Sequence, residues 1–188
     1  SIAELPLGST VGTSSLRRKA QLLNKRKDLK VVEFRGNVQK RLEKLDNNVA
    51  VATFLATAGL NRLGLNELIN PIPTDEMLPA VAQGAVGIEH LQSEKIEEFL
   101  APLNDGVSKK RVEAERAFLQ ELDGSCRTPI GGLAQKNNEE FKFMGEIISA
   151  NGEVKIHDVW QGDWAMAVEI GREAGREIKL RGGKNFFQ

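Results

Sequence analysis

The 188 residues hold 26 Lys plus Arg against 26 Asp plus Glu, a formal net charge of zero, and 40% of them are apolar, an ordinary globular balance with enough chain for one large or two small cores. Zero net charge and 5% aromatic residues weigh against a nucleic-acid binder, which needs a basic excess or stacking rings. One cysteine excludes an intrachain disulfide, no apolar run has spanning length and no signal-peptide pattern opens the chain, so a cytoplasmic protein without a membrane partner is expected.

In chain order, a short strand ends at Val11, and Gly12-Thr13-Ser14-Ser15 is a turn rich in helix-capping residues. Leu16, Ala20 and Leu23 then recur at helical spacing. Lys30 to Phe34 reads as a strand, Val38, Leu42 and Leu45 mark a second helix, and Val49 to Leu55 is a continuous apolar run suited to a buried parallel strand. This alternation predicts an α/β sheet domain. Leu78 to Glu89 reads as a strand, Ser93 to Leu100 as a helix, and a longer helix runs from about Lys109 to Leu122. Three strand-like runs follow near 131–136, 140–149 and 153–161, with the hairpin signal Asn151-Gly152 between the last two. A helix from about Trp164 to Leu180 closes the chain. The second half thus reads as a small α+β domain with a three-stranded antiparallel sheet.

Four stretches carry candidate chemistry. Gly12 to Arg18 runs from strand to helix through hydroxyl residues, a turn that offers N–H groups and a positive dipole end to an anion. Arg17 and Arg18 in the first helical turn oppose that dipole unless an anion compensates; the turn reads equally well as a capped helix with solvated arginines. Arg35-Gly36-Asn37 ends the second strand, and Arg41 follows one turn into the next helix. Ligands of open α/β sheets gather beyond the carboxyl ends of the strands, so Arg17, Arg18, Arg35 and Arg41 are expected to line one carboxylate-binding crevice. Leu55-Ala56-Thr57-Ala58-Gly59-Leu60, then Arg62, brings small residues to a third strand end, for close approach of a flat ligand or for plain tight packing. Gly124-Ser125-Cys126-Arg127-Thr128-Pro129 displays the lone cysteine in a loop beside an arginine that favours its thiolate, although a lone cysteine is more often a small buried hydrophobe. His90 and His157 are far apart and there is no second cysteine, so no metal site is expected.

Taken together, Val11-Gly-Thr-Ser-Ser-Leu-Arg-Arg18, Arg35-Gly-Asn37, Leu55-Ala-Thr-Ala-Gly-Leu60, Pro79-Ala-Val-Ala-Gln-Gly-Ala-Val-Gly87, Ala114-Glu-Arg-Ala117 and Gly124-Ser-Cys-Arg-Thr-Pro129 resemble the porphobilinogen deaminase (hydroxymethylbilane synthase) family from about residue 7 to 135. The resemblance implies a transferase of tetrapyrrole and haem biosynthesis that joins four porphobilinogen molecules into hydroxymethylbilane and releases ammonia. It implies a dipyrromethane cofactor held by a thioether at Cys126. Pyrrole acetate and propionate groups are then bound by Thr13, Ser15, Arg17, Arg18, Arg35, Arg41 and Arg62, with backbone near Ala56 and Gly59. It implies a periplasmic-binding-protein-like α/β domain over 1–79, a return segment of a further domain over 80–106, and the cofactor-attachment domain over 107–188. The family's acid/base Asp lies in that further domain, which nothing here matches. No catalytic residue is therefore assigned, the chain alone is expected not to turn over, and the further domain is expected as a partner in trans. Residues 80–106 are expected to pack non-natively, swap into another chain or be disordered. The competing reading is a binding-protein-like module that captures a small carboxylated ligand without chemistry.

Overall fold

The computed structural model describes residues 1–124, 128–183 and 186, and it contains two three-stranded sheets. The first is parallel. Strands β1 (Thr10–Gly12), β2 (Lys30–Val32) and β3 (Ala52–Thr53) lie in the order β2-β1-β3, with Val11 opposite both Val31 and Ala52. Helix α1 (Leu16–Lys25) is capped by Ser15, whose hydroxyl accepts the Arg18 N–H, and α2 (Val38–Asp46) by Asn37, which accepts the Lys40 N–H. Helix α3 (Thr57–Arg62) begins at Ala56 without a side-chain cap. Ile2, Val11, Leu22, Leu29, Phe54 and Met77 form the core of this half.

Helix α1 forms where the spacing of Leu16, Ala20 and Leu23 predicts it; its buried face is Arg17, Ala20, Gln21 and Leu22, while Leu16 is 41% exposed. Two expected strands differ. The apolar run at 49–55 yields only the two-residue β3, because the strand order puts it at a sheet edge, where Val49 and Val51 are exposed. No strand forms over 78–89. Ala82 sits at φ 58°, local turns join Gln83 N–H to Ala80 O and Ala85 N–H to Ala82 O, and Pro79 has no N–H to give a ladder. Met77 and Leu78 are buried, and from Gly84 the chain runs over the surface. Helix α4 (Glu94–Leu100) follows with no buried residue, and Val86, Leu91 and Phe99 are exposed.

The second sheet is antiparallel, in the order β4 (Ile130–Asn137), β5 (Glu140–Ile148), β6 (Lys155–Asp163). The Asn151-Gly152 signal is realised in the turn between β5 and β6, with Gly152 at φ 78° and its N–H on Ser149 O. Helices α5 (Gly106–Glu121) and α6 (Ala167–Gly182) cover one face, where Phe118 meets Phe143 with ring centroids 4.9 Å apart, beside Phe141, Ile147 and Ile178. Strand β5 is buried on both faces. Phe141, Phe143 and Ile147 point to the helices, and Glu146 points the other way, to Gln21 of α1. No helix among the described residues is long and apolar enough to cross a membrane.

Helix α5 carries a carboxylate on its buried side. Glu115 is 6% exposed, and its two oxygens accept the N–H groups of Ala82 at 2.6 Å and Ala134 at 2.9 Å. Burial holds this carboxyl above its ordinary range, against the pull of those N–H groups and of Arg111. The folded chain therefore binds the proton more tightly than the unfolded chain does, so this contribution to stability is full below the ordinary carboxylate value and fades as pH rises through the folded one. Glu115→Gln turns an amide NH2 towards one of two N–H donors; it is expected to cost about 1–3 kcal/mol and to flatten that slope. Urea melts from about pH 4 to about pH 7 check both, and a variant with the wild-type slope would remove Glu115 as its source.

Candidate functional site

Beyond the carboxyl ends of the parallel strands the chain turns three times into a helix. At the first turn Gly12 lies against the buried Phe34 ring, where an added Cβ would collide with ring carbons at 2.5 Å. The Thr13 N–H donates to Val32 O at 2.9 Å, Thr13 Oγ1 accepts the Ser15 N–H at 3.2 Å, and Ser15 Oγ accepts the Arg18 N–H at 3.3 Å. Both hydroxyls thus build the turn.

The arginines divide into two groups. Arg18 and Arg41 converge, each placing a guanidinium Nη1 3.5 Å from Phe54 O. Arg18 also lies 5.8 Å over the Phe54 ring, and Arg41 Nε donates to Gly36 O at 2.9 Å. Burial, then the positive Arg41, pulls Arg18 below its ordinary value. Among the described residues no carboxylate pairs with either side chain. Two neighbouring cations at the carboxyl ends of parallel strands, with no counter-charge among the described residues, have the chemistry to take a carboxylate between them.

The remaining candidates are placed elsewhere. Arg17 is 7% exposed and donates to Leu78 O, to Gln21 Oε1 at 2.8 Å and to Gln83 Oε1 at 3.4 Å; burial, then Arg18, lowers it to about 10, with Glu146 opposing. Arg35 is exposed and paired with Glu33 at 2.7 Å. Arg62 is exposed at the end of α3. Ala56 is the exposed residue that opens α3, and Gly59 faces open space, with nothing within 4 Å of an added Cβ. Cys126 lies outside the described residues. Its flanks Asp123 and Thr128 line a cavity of about 600 Å³ with Ile147, Arg176, Lys179 and Phe186.

Phe54 was missed by sequence reasoning, because a carbonyl at the end of an apolar run carries no side-chain signal. Glu115 was quoted only within a motif. Its sequence signal is a carboxylate among Ala114, Ala117 and Phe118 on an otherwise apolar helix face.

Two family models match: porphobilinogen deaminase, dipyromethane cofactor binding domain, over residues 1–98, and porphobilinogen deaminase, C-terminal domain, over residues 109–180. The chain is similar to the porphobilinogen deaminase of Paracoccus denitrificans, 49% identical over 188 residues that cover 99% of this chain and 60% of that protein. The porphobilinogen deaminase of Nitrobacter hamburgensis is 48% identical over 189 residues and 60% of its length. The chloroplastic porphobilinogen deaminase of Pisum sativum is 45% identical over 193 residues, 52% of its length. The chain thus spans 52–60% of these relatives. With its first 98 residues matched to the cofactor-binding domain and most of the remainder to the C-terminal domain, the chain belongs to the porphobilinogen deaminase family.

Proposed function

We propose that this chain is the part of a cytoplasmic hydroxymethylbilane synthase that holds the dipyrromethane cofactor and the porphobilinogen-derived chain growing on it. The observation that carries the reading is the convergence of Arg18 and Arg41 on Phe54 O without a carboxylate partner among the described residues. Pyrrole acetates and propionates are the counter-charges such a pair lacks, and guanidinium binds carboxylate in two-pronged fashion. Thr13 and Ser15 build the turn at the same strand ends, Arg35 and Arg62 are exposed further out on the same side of the chain's turns as candidate outer contacts, and α3, which opens at the exposed Ala56, has open space at Gly59. Arg17 belongs to the same turn, with its guanidinium engaged by Leu78 O. The donor set fits an oligopyrrole: fixed cations for its carboxylates and open backbone for its rings. When bound, the cofactor supplies the pyrrole terminus to which further pyrroles are joined; this chain's residues bind and orient it.

The proposed attachment point is the Cys126 thiol, through a thioether. In this reading 1–79 is the binding domain, 80–106 the return segment of a further domain and 107–188 the attachment domain. The intact mass of the chain after incubation with porphobilinogen and the further domain supplied in trans, where the acid/base Asp lies, tests the reading. An added mass equal to two linked pyrroles is expected, and its loss in Cys126→Ala. An adduct that persists in that variant overturns the thiol's role, and a wild-type chain that takes up no adduct overturns the cofactor-holding role.

A further inference from the structure

The buried face of α1 is unusual for a helix packed into a core, because Arg17 and Gln21 occupy it beside Ala20 and Leu22. Polar side chains are tolerated there only when each polar atom has a partner. Gln21 is 3% exposed. Its Nε2 donates to Leu78 O at 2.9 Å and to Glu146 Oε1 at 2.5 Å, while its Oε1 accepts from Arg17. Glu146, 2% exposed on β5, places its second oxygen 2.8 Å from Lys155 Nζ on β6. Leu78 O also accepts from Arg17. The chain of contacts Arg17–Gln21–Glu146–Lys155 therefore runs from the helix that opens the arginine crevice, across the 78–83 segment, into the second sheet.

Close backbone approach supports the same junction. A Cβ at Gly131 would meet Leu78 Cβ at 2.9 Å and Glu146 Oε1 at 3.0 Å, and one at Gly152 would meet Asn24 N at 2.7 Å and Ala20 O at 2.9 Å. Asn24 Nδ2 donates to Gly152 O at 2.8 Å, so the β5–β6 turn rests on α1. The Gly132 N–H donates to Pro79 O at 3.0 Å and the Ala82 N–H to Glu115, which fastens the segment from its other side.

We propose that Arg17, Gln21 and Glu146 form an interdomain lock that fixes the pitch of α1 against the second sheet, and that Arg17 is a positioning residue for Arg18 rather than a carboxylate ligand. Arg17 has its donors turned onto Leu78, Gln21 and Gln83, whereas Arg18, the next residue along the helix, reaches Phe54 O beside Arg41. A shift of α1 against β5 would carry Arg18 away from Arg41. The effect on ligand affinity rests on the reading of the crevice given above; the lock does not.

The test uses the 188-residue chain as wild type, as Gln21→Glu and as Gln21→Glu with Glu146→Gln. The single variant sets two carboxylates face to face; the double variant restores an amide–carboxylate pair with the partners exchanged, and Leu78 O, which a Glu at 21 cannot serve, keeps its bond from Arg17. Amide hydrogen exchange at Ala82 and Gly132 is expected to accelerate roughly tenfold or more in Gln21→Glu, and to return within about threefold of wild type in the double variant. Amides of β1 and of the Phe141–Phe143 stretch are expected to hold their rates in both. Unchanged exchange in Gln21→Glu, a double variant as fast as the single, or uniform acceleration through both sheets would each overturn the lock. Porphobilinogen affinity is expected to fall in Gln21→Glu and recover in the double variant. Recovery of exchange without recovery of affinity overturns the positioning role of Arg17, and a wild type that binds no porphobilinogen overturns the crevice reading while the exchange result still decides the lock.

Discussion

Gly171→Leu is expected to destabilise the chain by about 3 kcal/mol or more, because the cost falls on backbone rather than on a side chain that can turn away. Helices α5 and α6 cross where Ala114 faces Gly171 and where Phe118 O faces Gly175. A Cβ at Gly171 would meet the Ala114 carbonyl carbon at 2.9 Å, with the carbonyl oxygen closer still, and one at Gly175 would meet Phe118 O at 2.8 Å. Relief requires the helices to separate. That separation would open the contacts of Phe118, Ala174 and Ile178, all fully buried in one cluster with β5. A leucine adds three further carbons to a gap that does not hold one. Gly106→Ala is the control: it opens α5, an added Cβ there touches nothing within 4 Å, and the change is expected to be neutral or to stabilise by up to about 1 kcal/mol through the unfolded chain. Urea midpoints of the three proteins check both claims, and a Gly171→Leu midpoint equal to wild type would remove this crossing as a constraint.

The elements read from the sequence most securely were those with a strong local signal. Ser15 and Asn37 cap helices where their residue types place caps, and the second-sheet strands lie within two residues of their apolar runs. Failures came where tertiary context overrides local pattern. The apolar residues at 78–89 look like a strand, yet Arg17, Gln21 and Gly132 engage the Leu78 and Pro79 carbonyls, and Ala82 turns into the left-handed region. The apolar run at 49–55 belongs to a sheet edge, which composition does not reveal. For the site, arginines at successive strand–helix junctions were legible because the ends of parallel strands are shared ground. Their division into a converging pair and a buried one was not. It depends on Phe54 O, which has no sequence signature, and on Gln21 meeting Glu146 125 positions away. Nothing near Gln21 marks it as more than a surface glutamine at a helical position.

The double variant Arg18→Leu with Arg41→Leu is expected to weaken porphobilinogen binding by roughly 30-fold to 1000-fold, from two charge-assisted hydrogen-bonding groups at about 1.5–3 kcal/mol each, allowing for incomplete additivity. The folded chain holds these two cations together at a cost to itself: burial, then Arg41, disfavours the charged form of Arg18. A bound carboxylate offsets that repulsion, so part of the binding energy is relief of strain already present in the free protein. The same reasoning bounds the stability effect. Arg41→Leu removes the repulsion and forfeits the exposed bond to Gly36 O and the long 3.5 Å contact with Phe54 O, which Arg18 still reaches, so its thermal midpoint is expected to lie close to wild type while its affinity falls. Arg41→Lys keeps the charge and loses the planar fork, and is expected to bind between the two. Wild-type affinity should decline more with added salt than that of the double variant, since the pair supplies most of the Coulombic attraction. Calorimetric titration at two ionic strengths, beside a thermal melt, reads all of these. A double variant with wild-type affinity and wild-type salt dependence would take the carboxylate receptor away from this pair, and binding lost together with stability would make the arginines props of the fold rather than ligands.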